Sequence, residues 1–125
     1  MSVVLVVEDT PANMKLIGLL LRKAGHEVLQ ARSADEAIAI AREQHPQLIL
    51  MDIQLPGMDG LAATRILKQD QGTRHIPVVA LTAFAMKGDE QRILGAGCDA
   101  YIAKPIEYRS FIERVERLLP GAPAP

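Results

Sequence analysis

The sequence has a single cysteine, Cys98, so it cannot close an internal disulfide, and a reducing cytoplasm is the compartment this favours. It has no surplus of either charge: 14 lysines and arginines stand against 15 aspartates and glutamates, for a net charge of −1. Electrostatic binding to a phosphate backbone needs a basic surplus, so no nucleic-acid partner is expected. Its apolar runs fall far short of the roughly 20 residues that span a bilayer, so no membrane insertion is expected either. Met1 leads into strand-like sequence rather than a signal peptide. There is no internal repeat and no linker.

What is present is 49% hydrophobic and 23% charged residues in a chain of 125, the balance of one globular domain with a proper core. Five β-branched or aliphatic runs recur: Val3–Val7, Glu27–Ala31, Gln47–Met51, Pro77–Leu81 and Asp99–Ala103. The first, third and fourth are almost continuously apolar, as parallel strands covered on both faces are. The second is flanked by polar residues and reads as an edge strand.

Helical spacing fills the gaps between them. Residues 11–24 begin with Pro11 and stop before Gly25, a C-cap signal, with Met14, Ile17 and Leu21 on one face. Ser33 and Glu36 form a capping-box pattern ahead of 34–44, whose buried stripe is Ala34, Ala37, Ile38 and Ala41. Asp59 can cap 60–69, and residues 107–119 carry Phe111, Ile112, Val115, Leu118 and Leu119 at helical spacing. The segment 86–95 offers only Met86, Ile93 and Leu94 as apolar bulk, which predicts a loosely anchored helix. Strand and helix thus alternate five times, the signature of an α/β sandwich with a parallel sheet and helices on both faces. The closing PGAPAP, residues 120–125, predicts a disordered tail.

In an open parallel sheet, ligands bind beyond the C-terminal strand ends. Those ends carry Glu8-Asp9, Asp52, Thr82-Ala83 and Lys104-Pro105. Three carboxylates at one edge raise one another's pKa unless a cation offsets them. An all-oxygen site with few protein ligands suits Mg²⁺ better than zinc, and neither Cys98 nor His26, His45 or His75 lies at metal-ligand spacing. Lys104 can hold a phosphoryl oxygen as a point charge, Thr82 can donate a hydrogen bond to the same group, and a carboxylate beside Mg²⁺ and the lysine is a fitting nucleophile for phosphoryl transfer, forming an acyl phosphate. Each residue also has a plain structural role open to it. Asp9 could cap the first helix, Glu8 could be a solvated strand end, Thr82 a cap and Lys104 a surface lysine. The histidines read as surface residues, and Cys98 as a small buried hydrophobe.

The stretches VVEDTPANMKLI, LILMDIQLPGMDG, IPVVALTAFAM and AYIAKPI together resemble the receiver domain of bacterial two-component response regulators, over residues 2–119. The phrases MDIQLP, HIPVVALTAFAMKGDE and AYIAKPI further resemble single-domain regulators of the DivK cell-cycle type. The resemblance implies a (βα)5 flavodoxin-like three-layer sandwich, its five parallel strands in the order 2-1-3-4-5, over residues 1–119. It implies that Asp52 is the phosphoacceptor, that Asp9 ligates Mg²⁺ directly, that Glu8 acts on the metal through water, and that the backbone carbonyl of Gln54 is a further ligand. Thr82 and Lys104 match the switch hydroxyl and the phosphoryl-binding lysine, and Tyr101 the aromatic switch. A cis Lys104–Pro105 bond and a small residue at Ala83 belong to the same pattern. Gln54 and Phe84 match positions that tune phosphoryl lifetime, and the bulk of Phe84 is expected to shield the acyl phosphate from water.

The implied partners are a sensor histidine kinase or a histidine phosphotransfer protein, with docking surfaces on the Pro77-side loop and on the first helix near Asn13 and Met14. A downstream protein target is expected on the face of the fourth helix, fifth strand and fifth helix, because no output domain follows residue 119. On this reading the chain is a switch rather than an enzyme, with only self-catalysed phosphotransfer and autodephosphorylation. Three alternatives compete with it. An aspartate-nucleophile phosphatase would want a second aspartate where Gln54 stands, and a cap domain. A flavin or nucleotide binder would want a phosphate loop where EDTPAN is acidic. A degenerate receiver serving only as a scaffold is the third.

Overall fold

The computed structural model describes residues 2–53, 55, 59–83, 87–104 and 106–119, with the backbone alone at 87 and 88. Among these, five strands alternate with five helices: β1 Val3–Val7, α1 Pro11–Lys23, β2 Glu27–Ala31, α2 Ala34–Gln44, β3 Leu48–Asp52, α3 Gly60–Gln69, β4 Val78–Thr82, α4 Lys87–Gly95, β5 Ala100–Ala103 and α5 Tyr108–Leu118. The sheet is parallel throughout, in the order β2-β1-β3-β4-β5. This is the flavodoxin-like arrangement expected, with β2 at an edge. The Pro56-Gly57 turn, Met86 and the tail 120–125 lie outside the described residues.

The period-two alternation of the strands divides the core into two layers. Leu5, Val7, Ile49, Met51, Val78 and Ala80 pack with Ala37, Ala41, Leu67 and Ile93 of α2, α3 and α4. Val4, Val6, Leu48, Leu50, Val79 and Leu81 pack instead with Ile17, Leu21, Phe111 and Val115 of α1 and α5. Both faces of β1, β3 and β4 are therefore covered, which is why these runs carry so few polar residues. Leu48, Ile49, Leu50 and Met51 are all fully buried. Each such side chain contributes about 1.5–3 kcal/mol on leaving water, enough to hold β3 in the middle of the sheet whatever stands at its end.

The helix ends follow the local sequence closely. His26 N–H donates to Leu21 O at 3.0 Å and Gly25 N–H to Arg22 O at 3.0 Å. With Gly25 at φ +94, this is a Schellman cap, open to glycine because no Cβ resists the left-handed backbone. The Asp59 carboxylate accepts from Ala62 N–H at 2.8 Å, capping α3 as expected. The capping box at α2 is incomplete. Ser33 Oγ accepts from Glu36 N–H at 3.2 Å, but the Glu36 carboxylate turns to Arg32 N–H at 3.4 Å instead of Ser33. Asp9 does not cap α1: Thr10 holds the N-cap position without a side-chain bond, and the carboxylate of Glu8 accepts Thr10 N–H at 3.2 Å.

Two departures from the sequence reading bear on the site. β3 and β4 each run one residue further, taking in Asp52 and Thr82, because the ladder continues: Asp52 registers with Leu81 and Thr82 with Ala103. The second is a correction. His26 is buried, unlike the exposed His45 and His75, because the cap that ends α1 folds its ring in against α5. Helix α4 is thinly anchored as expected: Ile93 is buried in the core, while Leu94 stays exposed.

Candidate functional site

The parallel ladder delivers the strand-end residues to one rim and then holds the chain just beyond it. Glu8 N–H donates to Ala31 O at 3.0 Å, Ile53 N–H to Leu81 O at 3.3 Å, and Lys104 N–H to Thr82 O at 2.7 Å. Glu8, Asp52 and Thr82 are buried there, while Asp9 is exposed. Carboxylate oxygens of Glu8, Asp9 and Asp52 lie within 4.8 Å of one another. Lys104 Nζ donates to Asp52 Oδ2 at 3.2 Å and to Glu8 Oε2 at 3.4 Å.

One ammonium faces three carboxylates, and the electrostatics reflect the imbalance. Burial pushes the pKa of Glu8 up, and a hydrogen bond with Asp52 and its charge push it further, against the smaller pull of Thr10 N–H and Lys104. At Lys104 burial works to lower the pKa, but the charges and hydrogen bonds of Asp52 and Glu8 together outweigh it and raise it. Both directions describe an electron-rich pocket short of positive charge. A hard divalent cation fits that deficit, because the cluster offers only carboxylate oxygens and includes no histidine or cysteine.

Thr82, the last residue of β4, sits at the neighbouring strand end, fully buried. Tyr101 lies on β5, half-buried against the core of the α2–α4 side, with its carbonyl accepting from Arg114 Nη2 at 2.6 Å. Ala83 faces solvent beside Thr82. Gln54, Phe84 and Pro105 lie outside the described residues, and with them the expected carbonyl ligand, the shield and the cis bond. A cavity of about 460 Å³ opens next to Lys104, lined also by Asn13, Leu16, Ile17, Ala83 and Ile106. Leu16, 47% exposed on its rim, was not singled out from the sequence. The signal for it was there: α1 carries Leu16 and Leu19 off the stripe that Met14, Ile17 and Leu21 bury.

This fold and rim are those of a two-component signalling class, and the chain belongs to the response regulator receiver domain family, which matches residues 4–116. Within the family it is of the DivK type. It is 55% identical over 119 residues to the polar-differentiation response regulator DivK of Brucella ovis, covering 95% of this chain and 97% of that one. The DivK of Brucella anthropi is 53% identical over the same shares. Among solved structures it is similar to the receiver domain of a Pseudomonas aeruginosa sensor histidine kinase, which holds a magnesium ion in its active-site cleft. That match has 36% identity and a TM-score of 0.87, over 94% of this chain and 96% of the other. CheY4 of Vibrio cholerae, at 24% identity and a TM-score of 0.90 over 95% of this chain and 99% of the other, shares the fold.

Proposed function

We propose that this chain is a phosphoacceptor switch, with residues 1–119 as its receiver and 120–125 as a tail, working in the cytoplasm. The observation that carries the reading is Lys104 Nζ within hydrogen-bond reach of both Asp52 and Glu8 at the mouth of the sheet. An oxygen of the Asp52 carboxylate attacks the phosphorus of a phosphohistidine on a sensor kinase or phosphotransfer protein. The new O–P bond forms as the P–N bond breaks, and the imidazole leaves with the electron pair and takes up a proton. Lys104 neutralises the charge on the transferring oxygens, a task of positioning and electrostatics. Glu8, Asp9 and Asp52 would hold a magnesium ion, which supplies further neutralisation of that charge when bound.

Once Asp52 carries the phosphoryl group, the Thr82 hydroxyl donates to one of its oxygens, and Tyr101, three residues before Lys104, reorients with it. The consequence is felt on the face of α4, β5 and α5, where a downstream protein docks. Thin anchoring of α4 supports this, since a helix held by few buried side chains moves at low cost. The histidine-bearing partner approaches the opening beside Lys104, over Asn13 and the exposed Leu16. Return of the phosphoryl group to water is self-catalysed, so the chain is a signalling component rather than an enzyme. By its likeness to the Brucella regulators, its output serves polar differentiation in the cell cycle.

Incubation with a small-molecule phosphodonor and magnesium, followed by intact mass, tests the reading. One phosphoryl adduct forms on the wild type and is absent from Asp52→Asn. No adduct with any donor overturns the switch and favours an unphosphorylated scaffold.

A further inference from the structure

A second cavity, of about 200 Å³, lies on the α1–β2 side of the rim, away from the opening beside Lys104. Lys15, Arg22 and Arg32 line it, together with Gln30, Glu8 and Asp9. None of the three cations has an acidic partner among the described residues, whereas Arg42, Lys68, Arg92 and Lys104 each do. Gly18 lies under two of these donors. A Cβ there would stand 3.2 Å from Arg22 Nη1 and 3.9 Å from Gln30 Nε2, so the bare backbone lets both donors converge over one point of α1.

We propose that this cavity binds a small, multiply charged phosphate anion of the diphosphate class. Guanidinium groups present forked donors to phosphate oxygens, and the cations that line the cavity match a multiply charged anion better than a single carboxylate. The volume is below that of a drug-sized site, about 300–1,000 Å³, and suits a diphosphate rather than a whole cofactor. The opposition of Glu8 is reduced by Lys104, whose Nζ stands 3.4 Å from its Oε2. Asp9 is the nearest uncompensated negative charge, and it is solvated.

Calorimetric titration of the full chain with sodium pyrophosphate, in a chelating buffer free of divalent ions, tests this. One saturable site is expected. Arg22→Gln and Arg32→Gln should each weaken it at least tenfold, and Lys104→Met by less than either, through the Glu8 charge it unmasks. The absence of a saturable signal overturns the proposal. So does loss of binding in Lys104→Met with Arg22→Gln unaffected, which would place the anion at the acceptor site. A glutamate-rich peptide binding as tightly as pyrophosphate also overturns it, and would assign the cavity to an acidic segment of a protein partner.

Discussion

Lys104 Nζ lies 3.2 Å from Asp52 Oδ2, joining residues 52 positions apart, and its second carboxylate contact reaches back 96 positions to Glu8. The ammonium ties the last strand to the first and third. Replacing it with an isosteric apolar chain, Lys104→Met, leaves the buried acids uncompensated at the mouth of the sheet, where the proposed transfer takes place. Adduct formation from a small phosphodonor should slow by about 10²–10³, the loss that follows removal of one well-placed donor. A time course of intact mass reads this directly, and an unchanged rate would remove Lys104 from the chemistry.

The pH dependence of stability should separate into distinct windows. Asp70 and Glu107 have depressed pKa values, Asp70 through Gly72 N–H and Arg42, and Glu107 through the Ser110 and Arg109 N–H groups at its cap. Their stabilisation is present above their ordinary values of 3.8 and 4.5 and is lost as pH falls through the lower folded values. Glu8 runs the other way. Its folded pKa lies above 4.5, so the folded state binds the proton more tightly and loses stability as pH rises from 4.5 through that value. In metal-free buffer, wild type minus Glu8→Gln should therefore show a decline above pH 4.5, measured by urea midpoints. Added magnesium should raise the wild-type midpoint more than that of Glu8→Gln. Lys104, raised above 10.5, contributes stability that is lost only as pH climbs through its folded value.

Gly60 begins α3 directly behind the end of β3. A Cβ there would collide with the backbone carbonyl oxygen of Asp52 and stand 2.8 Å from Ile53 Cα. Because both are main chain, neither can swing aside as a flexible side chain would. Gly60→Ala should destabilise the fold by about 1–3 kcal/mol and slow phosphoryl uptake, since the strand end must shift to admit the methyl group. Denaturant melts together with the adduct time course check both. Stability lost with uptake intact would show that the displacement is taken up by α3 alone.

His26 is buried with no hydrogen bond at either ring nitrogen among the described residues, and Nε2 stands 3.7 Å from Glu116 Oε2. A buried polar group left without a partner costs about 1–3 kcal/mol, more than an imidazole contributes by packing over a leucine. His26→Leu should hold or raise the urea midpoint at neutral pH. A fall of more than about 1 kcal/mol would mean that the contact with Glu116 holds α5 against the end of α1.

Much of this architecture is written locally. Continuous apolar runs such as Leu48–Met51 specify strands covered on both faces, and Asp59 and Gly25 mark helix ends because capping is settled within a few residues. Where β3 and β4 stop was less legible: Asp52 and Thr82 look like loop residues until their ladder partners, Leu81 and Ala103, are in place. Strand-end carboxylates, a hydroxyl and a lysine could be listed from the sequence. Their distances could not, because the Lys104–Glu8 contact depends on how five strands are ordered.

By itself, then, the sequence determined the alternation of strand and helix, the helix caps and the set of polar residues leaving each strand. These follow from side-chain period and backbone preference acting over a few residues. Only the tertiary structure decided that one ammonium would serve two buried acids, that His26 would be inside, and that Lys15, Arg22 and Arg32 would line a common cavity. Those outcomes rest on contacts between elements far apart in the chain, where packing and Coulomb energy, not local propensity, select the partner.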